Sequence, residues 1–143
     1  MPAKIKIQAQ IHSTSEQVWD AWTNPIHIVN WNHATAEWYC PSASNDLQVG
    51  GCFSITMASK DGQSSFNFEG VYEEVNYPTA LAYSLSDGRK VKAFFEKNNQ
   101  GVLVTELFDP EDQNPIELQK AGWQGILNNF KAYVEQLNKS NTV

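Results

Sequence analysis

CFSITMASKDGQSSFNFEGVYEEVNYPTALAYSLSDGRKVKAFFEKNNQGVLVTELFDP, residues 52–110, is the stretch that decides the fold. Runs rich in β-branched and aromatic residues alternate in it with turn signals, so strands are predicted over 52–59, 64–76, 79–86, 90–97 and 102–109. The breaks between them are Lys60-Asp61-Gly62-Gln63, Tyr77-Pro78, Asp87-Gly88 and Asn98-Asn99-Gln100-Gly101. Asp-Gly pairs favour tight hairpins because glycine accepts the positive φ that such turns demand. Strands joined this closely must run antiparallel. Phe66, Phe68 and Tyr72 share strand parity, as do Leu81, Tyr83 and Leu85, which puts each set on one face.

The flanking segments complete the architecture. Residues 4–11 alternate polar and apolar, placing Ile5, Ile7, Ala9 and Ile11 on one side of a strand with one wet face. Ser13-Thr14-Ser15-Glu16 then offers N-cap residues and an early acid, and Val18, Trp19, Ala21 and Trp22 follow at helical spacing before Asn24-Pro25. A second short helix is predicted over 25–31, a brief strand over 37–40, and an irregular loop over 41–51, where Gly50-Gly51 permit a sharp entry into the meander. Asn114-Pro115-Ile116-Glu117 opens a long helix to about Leu137, with Leu118, Trp123, Ile126, Leu127, Phe130, Val134 and Leu137 on one stripe; Ser140–Val143 is expected to fray. The order β-α-α-β6-α gives an α+β fold in two layers, a curved antiparallel sheet wrapped around one long C-terminal helix with a gap between them.

With 143 residues the chain suits one domain, 1–143, and 41% hydrophobic content with five Trp excludes a disordered or coiled-coil chain. Ten Lys and Arg against 16 Asp and Glu leave a net charge of −6, which disfavours nucleic acid and anionic membrane surfaces as partners. Met1-Pro2-Ala3-Lys4-Ile5-Lys6 lacks the apolar core of a secretory signal, and the expected location is cytoplasmic. Cys40 and Cys52 lack CxxC spacing and are expected to be reduced, semi-buried small hydrophobes.

Four strings on successive elements carry a family resemblance: Ser15-Glu16-Gln17-Val18-Trp19-Asp20-Ala21-Trp22-Thr23 with Trp31, Asp46-Leu47-Gln48-Val49-Gly50-Gly51-Cys52-Phe53 with Met57 and Asp61-Gly62, Gly70-Val71-Tyr72-Glu73-Glu74-Val75, and Gly122-Trp123-Gln124-Gly125-Ile126-Leu127-Asn128-Asn129-Phe130. Together they resemble the helix-grip fold of the SRPBCC superfamily, with its START-like and Bet v 1-like domains. The nearer likeness is to the bacterial branch related to the C-terminal domain of the activator of heat-shock protein 90 ATPase. The superfamily hosts lipid carriers, polyketide cyclases, hydroxylase domains and co-chaperones on one scaffold, so the resemblance implies a fold more sharply than a function. In the eukaryotic activator a separate N-terminal domain makes most of the chaperone contact, whereas the first strand here begins within a few residues of Met1; the co-chaperone activity is therefore not carried over.

On such a scaffold many aromatic side chains point into the cleft between sheet and helix. The expected walls are Trp31, Trp38, Phe53, Phe68, Tyr83, Trp123 and Phe130. Ordinary core packing is the competing assignment for each of them. Glu106 lies between Val104 and Phe108 on a strand whose other face, Leu103 and Leu107, is also apolar, and is the expected polar contact for a ligand. A pairing of Glu106 with a nearby Lys or Tyr is the alternative. His33, in Trp31-Asn32-His33, sits near the expected pocket mouth but has no visible partner, and His27 and His33 lack a third metal ligand at fixed spacing. Nucleophile motifs and phosphate-cradling loops are absent.

The expected function is thus binding of a small hydrophobic or aromatic molecule by a carrier or sensor, as monomer or homodimer, with no catalytic residue, metal or cofactor assigned. Two alternatives come from other classes: a chaperone-interaction module of the heat-shock protein 90 activator type, and a cyclase-like enzyme using His33 or Glu106.

Overall fold

The structure, a computed structural model, describes residues 4–33 and 35–141. The elements follow in the order β1 Ile5–Ile11, α1 Ser15–Thr23, α2 Pro25–Trp31, β2 Trp38–Asn45, β3 Cys52–Ser59, β4 Ser65–Asn76, β5 Ala80–Leu85, β6 Lys90–Asn98, β7 Gly101–Phe108 and α3 Ile116–Asn141. All seven strands form one antiparallel sheet in the order β1-β7-β6-β5-β4-β3-β2, curled into a half-barrel against which α3 packs. The first strand closes onto the last, Ile7 pairing with Glu106 and Ile5 with Phe108.

Local chemistry accounts for the element ends. The Thr14 hydroxyl accepts a hydrogen bond from the Gln17 amide at 3.2 Å to cap α1. Asn24 ends that helix and starts the next, its side-chain oxygen accepting from the Ile26 amide at 3.1 Å with Pro25 in the first turn. Gly62 and Gly88 sit in their hairpin turns at φ +77° and +92°, as the Asp-Gly signals require.

Several boundaries depart from the sequence reading. The stretch 41–45, expected as loop, continues β2 through Pro41, with a register shift between Tyr39 and Ser42. Proline is tolerated because β2 is an edge strand and the bulge removes the need for its missing N–H. Helix α3 runs to Asn141, past the expected end at Leu137; of the fraying expected over Ser140–Val143, Thr142 and Val143 lie outside the described residues. Leu118 is 59% exposed and not on the buried stripe; in the first turns of α3 it is Gln119 that turns inward. Cys40 is buried and Cys52 exposed, both as free thiols, so Cys52 does not serve as a buried hydrophobe.

The core lies between the concave face and the helices. Ile5, Ile7, Ile11, Leu81, Val91, Phe95, Val102, Val104 and Phe108 come from the sheet, and Val18, Ile28, Leu127, Phe130 and Val134 from the helices. Phe130 is the aromatic hub, edge-on to Trp22 at 4.9 Å and to Trp31 at 4.8 Å, joining α1, α2 and α3. Trp19 and Trp22 pack against Phe95 of β6 at 5.8 and 5.4 Å.

Candidate functional site: an aromatic cavity with a polar floor

Toward the β3–β5 side the sheet and α3 part, leaving a cavity of about 410 Å³. Its sheet wall is Phe53, Ile55 and Met57 of β3, Phe66, Phe68 and Tyr72 of β4, Tyr83 of β5 and Glu106 of β7. Trp22, Ile28, Trp31, Asn32, Trp123 and Ile126 face it from the helical side, and Asn45, Arg89, Glu111, Asn114 and Gln119 complete its border. The volume falls in the range of ligand pockets, ~300–1,000 Å³.

Specific devices hold the walls apart. Gly70 pairs with Phe53 in the sheet, and a Cβ at Gly70 would stand 2.8 Å from the Phe53 ring and 2.7 Å from the Ser84 carbonyl. Its absence lets that ring lie close over β4 and face Tyr83 edge-on at 4.9 Å. Trp31 is fixed by its indole N–H, which donates to the Ala21 carbonyl at 2.9 Å. Trp123 spans the half-barrel, stacked on Phe108 and edge-on to Phe68 at 5.9 Å. At the border, the Gln119 side chain accepts from the Glu111 amide at 2.8 Å and donates to the Glu111 and Asn114 carbonyls at 3.0 and 2.8 Å, pinning the segment between β7 and α3.

The polar groups divide into two kinds. Tyr72 donates its hydroxyl proton to Asn45 Oδ1 at 2.8 Å, and Asn45 Nδ2 donates to the Thr23 carbonyl at 2.6 Å. Asn32, Tyr83 and Glu106, by contrast, are only 7%, 7% and 6% exposed, yet their side chains make no hydrogen bond or ion pair with any described residue. None of their polar atoms is sealed off, so these groups open onto the cavity. Burial pushes the Glu106 carboxyl up from 4.5 to about 8, leaving it mostly protonated and able to donate at neutral pH. Burial also pushes Tyr83 well above its ordinary value, helped by the nearby charges of Glu106 and Tyr72, while Tyr72 is pushed up to about 12 by burial.

Of the residues expected from sequence, Trp31, Phe53, Phe68, Tyr83, Glu106 and Trp123 border this one space. Trp38 and Phe130 do not. Phe130 is wholly buried among the helices behind the wall, and Trp38 sits on the edge strand against Phe66 at 5.7 Å, beside a separate groove with Lys60 and Asp61. Glu111, expected as solvated charge, stands at the border of the cavity. His33 is not in the lining; its Nδ1 is buried with no hydrogen-bond partner among the described residues, and burial, then the Lys60 charge, lowers its pKa. His27 instead links helices, Nδ1 to the Tyr133 hydroxyl at 2.6 Å and Nε2 to Asp20 at 3.2 Å. Sequence reasoning missed Asn45, Arg89 and Gln119. Asn45 was hidden in a segment read as loop, whereas Gln119, one helical turn before Trp123, carried a usable i,i+4 signal.

Among the described residues no cluster of three or more His, Cys, Asp or Glu is arranged to hold a metal ion, and no helix is long and apolar enough to cross a membrane. A curled antiparallel sheet gripping one long helix around a cavity defines the helix-grip class of the SRPBCC superfamily. The family model described as Activator of Hsp90 ATPase homolog 1-like protein matches residues 12–135, and the chain belongs to that family. Among solved structures, it is similar to an AHSA1-like protein from Aeromonas hydrophila, at 42% identity and a TM-score of 0.91 over 98% of this chain and 97% of that one. It is also similar to a protein from Cytophaga hutchinsonii, at 44% identity and a TM-score of 0.81 over 98% and 96%. A protein from Nitrosomonas europaea shares the fold at 16% identity and a TM-score of 0.81 over 96% and 97%. No curated protein matches the chain.

Proposed function

We propose that the protein is a carrier or sensor that binds a small, largely apolar aromatic molecule between the sheet and α3, with Glu106 and Tyr83 among its polar contacts. The observation that carries this reading is the set of three buried polar side chains, Asn32, Tyr83 and Glu106, that face an aromatic cavity with no hydrogen-bond partner among the described residues. Polar side chains converging on an aromatic wall are the arrangement by which a pocket orients a ligand, and a cavity kept for packing alone has no use for three of them. A bound molecule that pairs with one or more of these groups and covers the aromatic walls gains hydrogen bonds and apolar burial.

Native mass spectrometry of gently purified protein, followed by denaturing extraction, tests the reading. The expected result is a one-to-one adduct, or one-to-one uptake from a panel of aromatic compounds, that is abolished by the cavity-filling variant Met57→Trp. A protein that carries nothing and takes up no member of the panel overturns it.

A further inference from the structure

The hydrogen bonds behind the cavity wall have a fixed direction. A backbone carbonyl only accepts, so the Asn45 atom 2.6 Å from the Thr23 oxygen must be the amide nitrogen, and the amide oxygen must face Tyr72. An amide oxygen also only accepts, so the proton on the 2.8 Å contact belongs to Tyr72. The Tyr72 hydroxyl thereby commits its donor to the wall and presents only lone pairs to anything in the cavity. Tyr83 is the complement: its hydroxyl has no acceptor among the described residues, and it lies within electrostatic reach of both Tyr72 and Glu106. One acceptor, Tyr72, and an uncommitted donor, Tyr83, thus stand in the same wall, their rings 6.0 Å apart.

We propose that the Thr23–Asn45–Tyr72 chain makes this cavity selective for an aromatic hydroxyl, which donates to the Tyr72 oxygen and accepts from the Tyr83 hydroxyl. A hydroxyl does both, whereas an ether oxygen accepts only and meets the Tyr72 lone pairs unpaired. This deepens the ligand-binding reading and rests on it. Asn45 acts as a positioning residue, setting the polarity of Tyr72 without needing to touch the ligand.

Binding of 2-naphthol, 2-methoxynaphthalene and naphthalene, followed at neutral pH by tryptophan fluorescence and calorimetry, tests the inference. The wild-type protein is expected to prefer the naphthol over the methyl ether by about tenfold, the worth of one to two buried hydrogen bonds. Tyr72→Phe is expected to bring that ratio close to one while naphthalene binds as before, which also shows that the variant is folded. Asn45→Ala is expected to lower the same ratio with Tyr72 still present, because the freed hydroxyl can turn its proton toward the ether. A purely structural Asn45 would weaken all three probes alike. Equal binding of all three probes to the wild type overturns the hydroxyl selectivity and leaves the cavity reading intact, as does a preference that survives Tyr72→Phe. Failure of all three to bind up to their solubility limits overturns both.

Discussion

The rings of Phe108 and Trp123 lie face to face, 3.8 Å between centroids and 9° between planes, and this contact ties the last strand to the C-terminal helix beside the cavity. Trp123 also meets Phe68 of β4 across the half-barrel, so one indole bridges β7 and β4 at the edge of the cavity. Trp123→Ala is expected to cost about 2–4 kcal/mol, read as a lower urea midpoint, and to weaken aromatic ligands. A double-mutant cycle with Phe108→Leu should return a coupling of roughly 0.5–1.5 kcal/mol; strictly additive effects would contradict the stack as a source of stability.

Glu106 makes stability depend on pH in an unusual direction for a carboxylate. Its folded-state pKa is raised to about 8 from 4.5, so between these values the native protein holds a proton that the unfolded chain has released. Stability therefore falls as pH rises through that window, and the full penalty is present above it. Glu106→Gln removes the titration. The variant is expected to gain on the wild type from pH 5 to pH 8.5, by on the order of a few kcal/mol, with no relative gain below pH 4. Denaturation series at these pH values decide the matter, and a constant difference between the two proteins would place the carboxyl in water.

The contrast between Glu106 and its neighbours shows what the sequence could and could not convey. Glu106 was legible because a lone acid at a core-facing position, flanked by Val104 and Phe108, stands out against the period-two pattern. The meander was legible because Gly62 and Gly88 mark turns that few other residues can make. The extent of β2 was not, since Pro41 reads as a breaker unless the strand is known to be an edge. Phe130 and Trp31 look alike in sequence, and both belong to the aromatic cluster of the helices; only the packing of three helices seals one away while the other reaches the cavity. Asn45 reaches the site through its β2 pairing with Phe53 and its hydrogen bond to the Thr23 carbonyl, tertiary contacts that local pattern does not encode.

Gln119 is buried where the helical stripe calls for an apolar side chain, and its three hydrogen bonds hold the segment that carries Glu111 and Asn114. Gln119→Leu keeps the volume but leaves the Glu111 amide and two carbonyls without their partner. The cost is expected at ~1–3 kcal/mol. Hydrogen exchange provides the sharper measurement: the Glu111 amide should lose protection in the variant while amides of β5 and β6 keep theirs. Unchanged exchange at Glu111 would mean that the segment is held by other contacts.

Gly70 links backbone and cavity shape most directly. A methyl group there has no free space, with the Ser84 carbonyl at 2.7 Å and Phe53 ring atoms at 2.8 Å, and the carbonyl belongs to a sheet that cannot yield without breaking β4–β5 pairing. The ring is the softer neighbour, so in Gly70→Ala the Phe53 side chain is expected to swing off β4 toward the lumen. Overpacking of this kind costs about 1–3 kcal/mol. The displaced ring also takes volume from the ligand, so the variant should lose affinity for naphthalene-sized probes by more than for single-ring ones such as phenol. Gly70→Ala combined with Phe53→Leu removes the clash with the ring, and recovery of binding for the larger probe would locate the effect in that contact. A loss equal for both probe sizes, unrelieved in the double variant, would trace it to the Ser84 carbonyl and the sheet.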